Sequence, residues 1–373
     1  MLDVRRAMQQ DGAVTTLTDI EWEAPILEPT RNRELESYAR RALGRVPPLV
    51  TYYYPCPWIV RSMVALNAVQ HSLVHVDGNL IRLVELVVSQ DNACRYCYAA
   101  TRAMLKIFGF PEARIRKVEH DLQSAQLSPM ATLALEFVRR VSRANPLPSA
   151  ADAQHLRDAG YGDQAIRELV FMAAVTVYFN RLATLPAVST ESMERIERSW
   201  RLTLLGPFMA RFLRAKWRKT PLPQAAQHTG PYAYLVDAFS GLPLGAALSV
   251  ALSEAWNSPA LPRRTKAFAF AVVARGLGCP LSEREATRLL MTEGIARDEI
   301  DTTLAHLASP ALDPIEAAVV PFARETIWYR PVQIQRRARA LRAQLTRDQF
   351  LELVGIVSLA NAVCRMSPVV ALH

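Results

Sequence analysis

The sequence has no uncharged apolar run near the roughly 18 residues that a transmembrane helix requires, so no membrane-spanning segment is read from it. No apolar stretch follows the Arg5-Arg6 pair of the opening MLDVRRAMQQDGAV, so no secretory signal is read there either. Alternating apolar and polar runs flanked by Asn-Gly or Asp-Gly turns are essentially missing, which argues against a sheet-based fold. Cysteine is sparse: Cys56, Cys94, Cys97, Cys279 and Cys364 are five among 373 residues. So thin and odd a supply excludes a disulfide scaffold and points to a reducing, cytoplasmic compartment. No motif of a nucleic-acid-binding module is present, and no nucleic-acid partner is expected.

Half the residues are apolar and 21% are charged. With a mean hydropathy of +0.04, this is the profile of a soluble globular chain. The net charge of +9 raises the prospect of an acidic partner or an anionic membrane surface. Salt-bridged arginines on helix faces account for it equally well.

Helical periodicity dominates. LIRLVELVVSQ (80–90), ATRAMLKIFG (100–109), TLALEFVRRVSR (132–143), AIRELVFMAAVTVYFNRL (165–182) and REATRLLMTEGI (284–295) all place apolar residues three and four apart. NPLP (145–148) and TPLP (220–223) break the pattern. The chain also repeats itself. Shifted by 185 residues, SQDNACRYC (89–97) falls on ARGLGCPLS (274–282), and LSPMATLALEFVRR (127–140) on LDPIEAAVVPFARE (312–325). GDQAIRELV (162–170) meets RDQFLELV (347–354) after a one-residue deletion. This register predicts an all-α protein of two homologous helical domains, 30–200 and 230–373. An extension over 1–29 precedes them, and a basic amphipathic segment over 201–229 joins them. That joining segment, RLTLLGPFMARFLRAKWRKTPLP (201–223), is expected to be a linker helix packing its Leu, Phe and Trp against both domains. The alternative is contact with an anionic membrane surface.

Cys94-Arg95-Tyr96-Cys97 is the one chemical motif. With Asp91 or Asn92 as N-cap, a helix from about Ala93 to Gly109 would carry both sulfurs in its first turn. Free backbone N–H groups and the positive helix end stabilise a thiolate there, lowering the thiol pKa. Arg95 and Arg102 would add positive charge. Such a thiolate beside a second cysteine can reduce a peroxide through a sulfenic acid and a disulfide, or exchange with another disulfide. A structural zinc site needs two further ligands, which Cys279 and Cys364 do not supply; they read as small buried hydrophobes. No metal or cofactor is expected.

The run ELVVSQDNACRYCYAATRAMLKIFG resembles the core of the AhpD-like alkylhydroperoxidase/carboxymuconolactone decarboxylase family, where a Glu precedes Cys-x-x-Cys-x-x-x-His. VYFNRLATLPA (177–187) and GRVPPLVTYYYPCPWIV (44–60) are similar to the segments flanking that core. The resemblance implies tandem AhpD-like helical domains, homo-oligomers, a hydroperoxide or other small substrate, and a thiol or disulfide reductant. Carried over by position, it implies that Cys97 is the peroxidatic thiol and Cys94 the resolving one. Two positions depart from it: Thr101 stands where the family has His, and Arg82 where it has Glu. Glu85, one turn beyond Arg82, is the substitute general base, or else a carboxylate paired with arginine. His71 and His75, spaced i, i+4 as on one helical face, are a further imidazole source, or plain surface residues. In the second repeat Cys279 matches Cys94, but Ser282 replaces Cys97. Ser282 and Glu285 read as a capping box, making that half structural. The expected function is a thiol-dependent peroxidase or disulfide oxidoreductase. The alternatives are a non-redox enzyme of the decarboxylase branch and a catalytically degenerate binding protein.

Overall fold

A computed structural model describes residues 19–70, 72–123, 125–217, 222 and 228–372. Among these residues every regular element is a helix. The first half runs α1 (Arg33–Leu43), α2 (Pro57–Val69), α3 (Gly78–Asp91), α4 (Arg95–Ile107) and α5 (Glu112–His120). It continues through α6 (Pro129–Arg143), α7 (Ala150–Asp158), α8 (Asp163–Thr184) and α9 (Glu191–Glu197). A bridging helix, α10 (Trp200–Trp217), leads to α11 (Ala233–Ala238), α12 (Pro243–Asn257), α13 (Arg263–Leu277) and α14 (Pro280–Thr292). The chain ends with α15 (Arg297–His306), α16 (Pro314–Glu325), α17 (Pro331–Arg342) and α18 (Arg347–Met366).

Gly78, Arg95, Glu112 and Pro129 open helices, and so do Arg263, Pro280, Arg297 and Pro314, each 185 residues further on. The sequence register therefore reappears in the helix starts. The halves do not pack as separate globules. α2 lies against its counterpart α12, and α8 against its counterpart α18. One continuous buried core runs through both halves, from Ile20 to Val369. α18 is long and apolar enough to cross a membrane by length and composition. Its residues are nevertheless buried in this core, where Glu352 and Arg365 interrupt the apolar sequence.

Two arginines show how reciprocal the contact is. Arg181, on α8, sends Nε to the carbonyl of Thr326 and Nη2 to that of Ile327, each at 2.9 Å. Arg365, on α18, sends Nε to the carbonyl of Ser142 at 2.9 Å. Donor and acceptor are each displaced by 184 residues between the two bonds, so each half grips the other in the same way. Both guanidinium groups are fully buried, and burial pushes both below the usual arginine value. Removing either leaves a cavity and orphaned carbonyls. Arg181→Ala and Arg365→Ala are each expected to cost about 3 kcal/mol, read as a lower urea midpoint.

Paired glutamates repeat the theme. Glu168 on α8 accepts the backbone N–H groups of Val74, His75 and Val76 at 2.9–3.1 Å, fixing the loop that leads into α3. Glu352, its counterpart on α18, accepts Ala260 N–H at 3.1 Å ahead of α13 and also holds Lys266 Nζ at 2.7 Å. The stretch before α1 is a strap across both halves. Trp22 Nε1 donates to Val188 O at 3.0 Å, and Glu23 pairs with Arg336 at 2.7 Å.

Candidate functional site

α3 and α4 meet at the cysteine pair. α3 stops at Asn92, whose Nδ2 donates back to Val88 O at 2.9 Å and across to Ser142 Oγ at 3.0 Å. Ala93 then takes a left-handed turn, φ +46°, and α4 begins at Arg95. The N-cap is therefore neither Asp91, which is bound by Arg143 at 2.7 Å, nor Asn92. It is Cys94 itself, whose Sγ accepts the backbone N–H of Cys97 at 3.4 Å. The backbone reversal at Ala93 carries the chain past both conventional capping side chains and leaves sulfur in the capping position. Cys97 is thus the third residue of the helix, one turn along on the same face.

This arrangement divides the labour between the two sulfurs. Burial pushes the Cys94 thiol up. Hydrogen bonds from the Cys97 thiol, the backbone N–H groups of Cys97 and Tyr96, and the Thr184 hydroxyl outweigh that burial, and the net pKa is lowered. Cys97 is raised well above an ordinary thiol by burial, by donating its proton to Cys94, and by the negative charge at Cys94 and Glu85. Within the pair, Cys97 holds its proton more tightly than Cys94. Alkylation of this dithiol should therefore rise with pH through a midpoint below the ordinary thiol value of about 8.5. A stopped-flow iodoacetamide profile reads that midpoint.

Access is divided the other way. Cys94 is sealed, 0% exposed, whereas Cys97 is 9% exposed and lines a cavity of about 160 Å³. Glu85, Thr101, Asn180 and Arg45 line the same cavity, with Leu49 and Val50 among its apolar walls. Glu85 meets both of its sequence readings: it faces the cavity with Cys97 and is paired with Arg82 Nη1 at 2.7 Å. Asn180 is fixed from behind, its Nδ2 donating to Val88 O at 3.2 Å and its Oδ1 accepting Ser89 Oγ–H at 3.3 Å. Among the described residues no group of three His, Cys, Asp or Glu is placed to hold a metal ion.

Several sequence readings change. Arg95 and Arg102 do not lend free positive charge to the thiols. Arg95 is tied to Glu194 at 2.5 Å, and Arg102 is clamped by Glu112, Glu119 and Glu197. His75 is not on a helix, because α2 ends at Val69; it lies in the following loop beside a different cavity, with Asp77 and Tyr161. His71 lies outside the described residues. Ser282 and Glu285 form no capping box. The N-cap of α14 is Cys279, while Glu285 accepts Tyr232 N–H at 3.2 Å and pairs with Arg288. Ser282 Oγ bonds instead to Tyr234 and Ser367 hydroxyls at 3.1 and 2.9 Å.

Cys279 and Cys364 are not unrelated hydrophobes. A hydrogen bond from Cys364 is the chief cause that brings Cys279 down to about 6, against its burial, with help from the Ser282 and Ser367 hydroxyls. Cys364 is correspondingly raised, by burial and by donating to Cys279. A second thiol pair thus stands at the start of α14, where Cys94 and Cys97 stand at the start of α4. Its second sulfur comes from α18 rather than from the same helix turn. Arg45, within the GRVPPLV run, also lines the cavity, a placement that its sequence position alone does not signal.

No protein-family model matches the chain, and no curated protein or solved structure matches it either.

Proposed function

We propose that the chain is a thiol-dependent peroxidase of the AhpD-like kind, reducing a small hydroperoxide through Cys97 and Cys94. The observation that carries this reading is the division at the start of α4: a sealed sulfur at the N-cap that accepts the Cys97 backbone N–H, and a second sulfur one turn along that opens onto a cavity.

The Cys97 proton crosses the S–H···S bond to Cys94, which puts the thiolate on the sulfur that faces the cavity. Cys97 Sγ attacks the terminal peroxide oxygen, the O–O bond breaks, Cys97 becomes a sulfenic acid, and the alkoxide takes the proton from Cys94. The Cys94 thiolate then attacks the Cys97 sulfur, forming the disulfide and releasing hydroxide, which takes a proton from solvent. An external thiol or dithiol returns the pair to the reduced state by exchange. Glu85 is paired with Arg82 Nη1 at 2.7 Å, so its carboxylate is engaged away from Cys97. In this scheme it orients the cavity, and the sulfur–sulfur bond moves the proton. The test is consumption of a small alkyl hydroperoxide driven by dithiothreitol. Turnover should require both thiols, and turnover that persists without them would sink the reading.

A further inference from the structure

α10 packs with its small side. Leu202 and Ala210 meet Ala103 and Ile107 of α4. A side chain at Gly206 would come within 3.1 Å of the Lys106 and Ile107 carbonyls, so the two helices touch backbone to backbone there. Leu213 and Trp217 pack on this side with Leu202, Trp217 stacked on Phe108 at 5.7 Å, while five other large apolar side chains face outward. Trp200 is 70% exposed, Leu204 69%, Leu205 50%, Phe208 76% and Phe212 60%. They line one side of the helix at spacings of three and four. The expectation that these residues pack between two domains is thereby corrected.

Along the sequence, the charge of this segment has one sign. Between Glu197 and Asp237 the sequence holds no carboxylate, while Arg198, Arg201, Arg211, Arg214, Lys216, Arg218 and Lys219 are all basic. Arg201 and Arg211 are exposed and belong to the outward side of α10. A second copy of the chain would set these arginines against their own equivalents, with no acid on the helix to neutralise them. An anionic bilayer supplies both complements, lipid phosphates for the arginines and acyl chains for Phe208, Phe212 and Trp200.

We infer that α10 is an interfacial helix that docks the protein onto the surface of an anionic membrane. The helix lies in the plane of the headgroups, with its small-residue side still seated on α4. Because α4 also carries Cys97, docking would hold the thiol helix close to the lipid surface.

Vesicle flotation of the full chain tests this, using phosphatidylcholine alone and phosphatidylcholine with about 30 mol% phosphatidylglycerol. The protein should partition at least ~tenfold more strongly to the anionic vesicles, less so at high salt. Phe208→Asp with Phe212→Asp should lose at least ~tenfold of that binding with an unchanged melting temperature, both rings being solvent-exposed. Arg201→Glu with Arg211→Glu should abolish the preference for anionic lipid. The inference is overturned if wild-type protein stays with neither vesicle, or floats no better than the variants. It is equally overturned if light scattering shows a lipid-indifferent dimer that the Phe variants dissociate.

Discussion

Cys97→Ser is expected to lower dithiothreitol-driven hydroperoxide turnover by at least ~10³-fold, because serine at that position cannot become the nucleophile. Cys94→Ser is expected to fail differently. Serine is a favoured N-cap, so the start of α4 survives and stability should change by less than about 1 kcal/mol. Cys97 still faces the cavity and still meets peroxide, but without a resolving thiol it stops at the sulfenic acid. One equivalent of peroxide should be consumed slowly, and the product should be trapped on Cys97 by a sulfenic-acid reagent. The contrast matters because the thiol with the lowered pKa is the sealed Cys94, while the opening to solvent is at Cys97. If attack occurred at Cys94, the two phenotypes would be exchanged.

The largest stability effect is expected at Lys266 and Glu352. Their side chains are both 0% exposed and 2.7 Å apart, and Lys266 also donates to the carbonyls of Ala255 at 2.8 Å and Ser258 at 2.5 Å. Lys266→Met strands the Glu352 carboxylate in the core and should cost about 3–5 kcal/mol. The double variant Lys266→Met with Glu352→Leu should regain part of that loss, since no charge is left buried, and equilibrium urea unfolding of the full chain reads both values. Glu168→Gln provides the control from the other half. Glu168 plays the same loop-anchoring part through backbone N–H groups, without a buried lysine, and its loss should be smaller.

Helices α3, α4, α6, α8 and α14 were legible because periodicity is local and additive along the chain. The cysteine pair was legible for the same reason, being a four-residue motif at a helix start. The capping group was not, because side-chain preferences favour Asp91 or Asn92 and only the left-handed turn at Ala93 moves the cap to sulfur. Arg95 and Arg102 misled for a tertiary reason: their carboxylates come from α5 and α9, out of sight of a linear reading. Cys279 and Cys364 lie 85 residues apart, and only the folding of α18 against the start of α14 unites them. At α10 the amphipathic pattern was visible, but which side packs was not. The buried side brings Gly206 and Ala210, whose value is close approach rather than hydrophobicity, together with Leu202 and Trp217. The mutual grip of Arg181 and Arg365 likewise needed three dimensions, because both lie beyond the segments that defined the repeat, further along the same two helices.

The most direct test of the central claim is the oxidation state of each cysteine after one equivalent of hydroperoxide. Intact mass after alkylation, followed by peptide mapping, separates the Cys94–Cys97 pair from Cys279 and Cys364. A loss of two hydrogens confined to a Cys94–Cys97 disulfide is the predicted result. A pair that stays fully reduced and alkylatable under those conditions, or oxidation appearing first at Cys279 and Cys364, would contradict it.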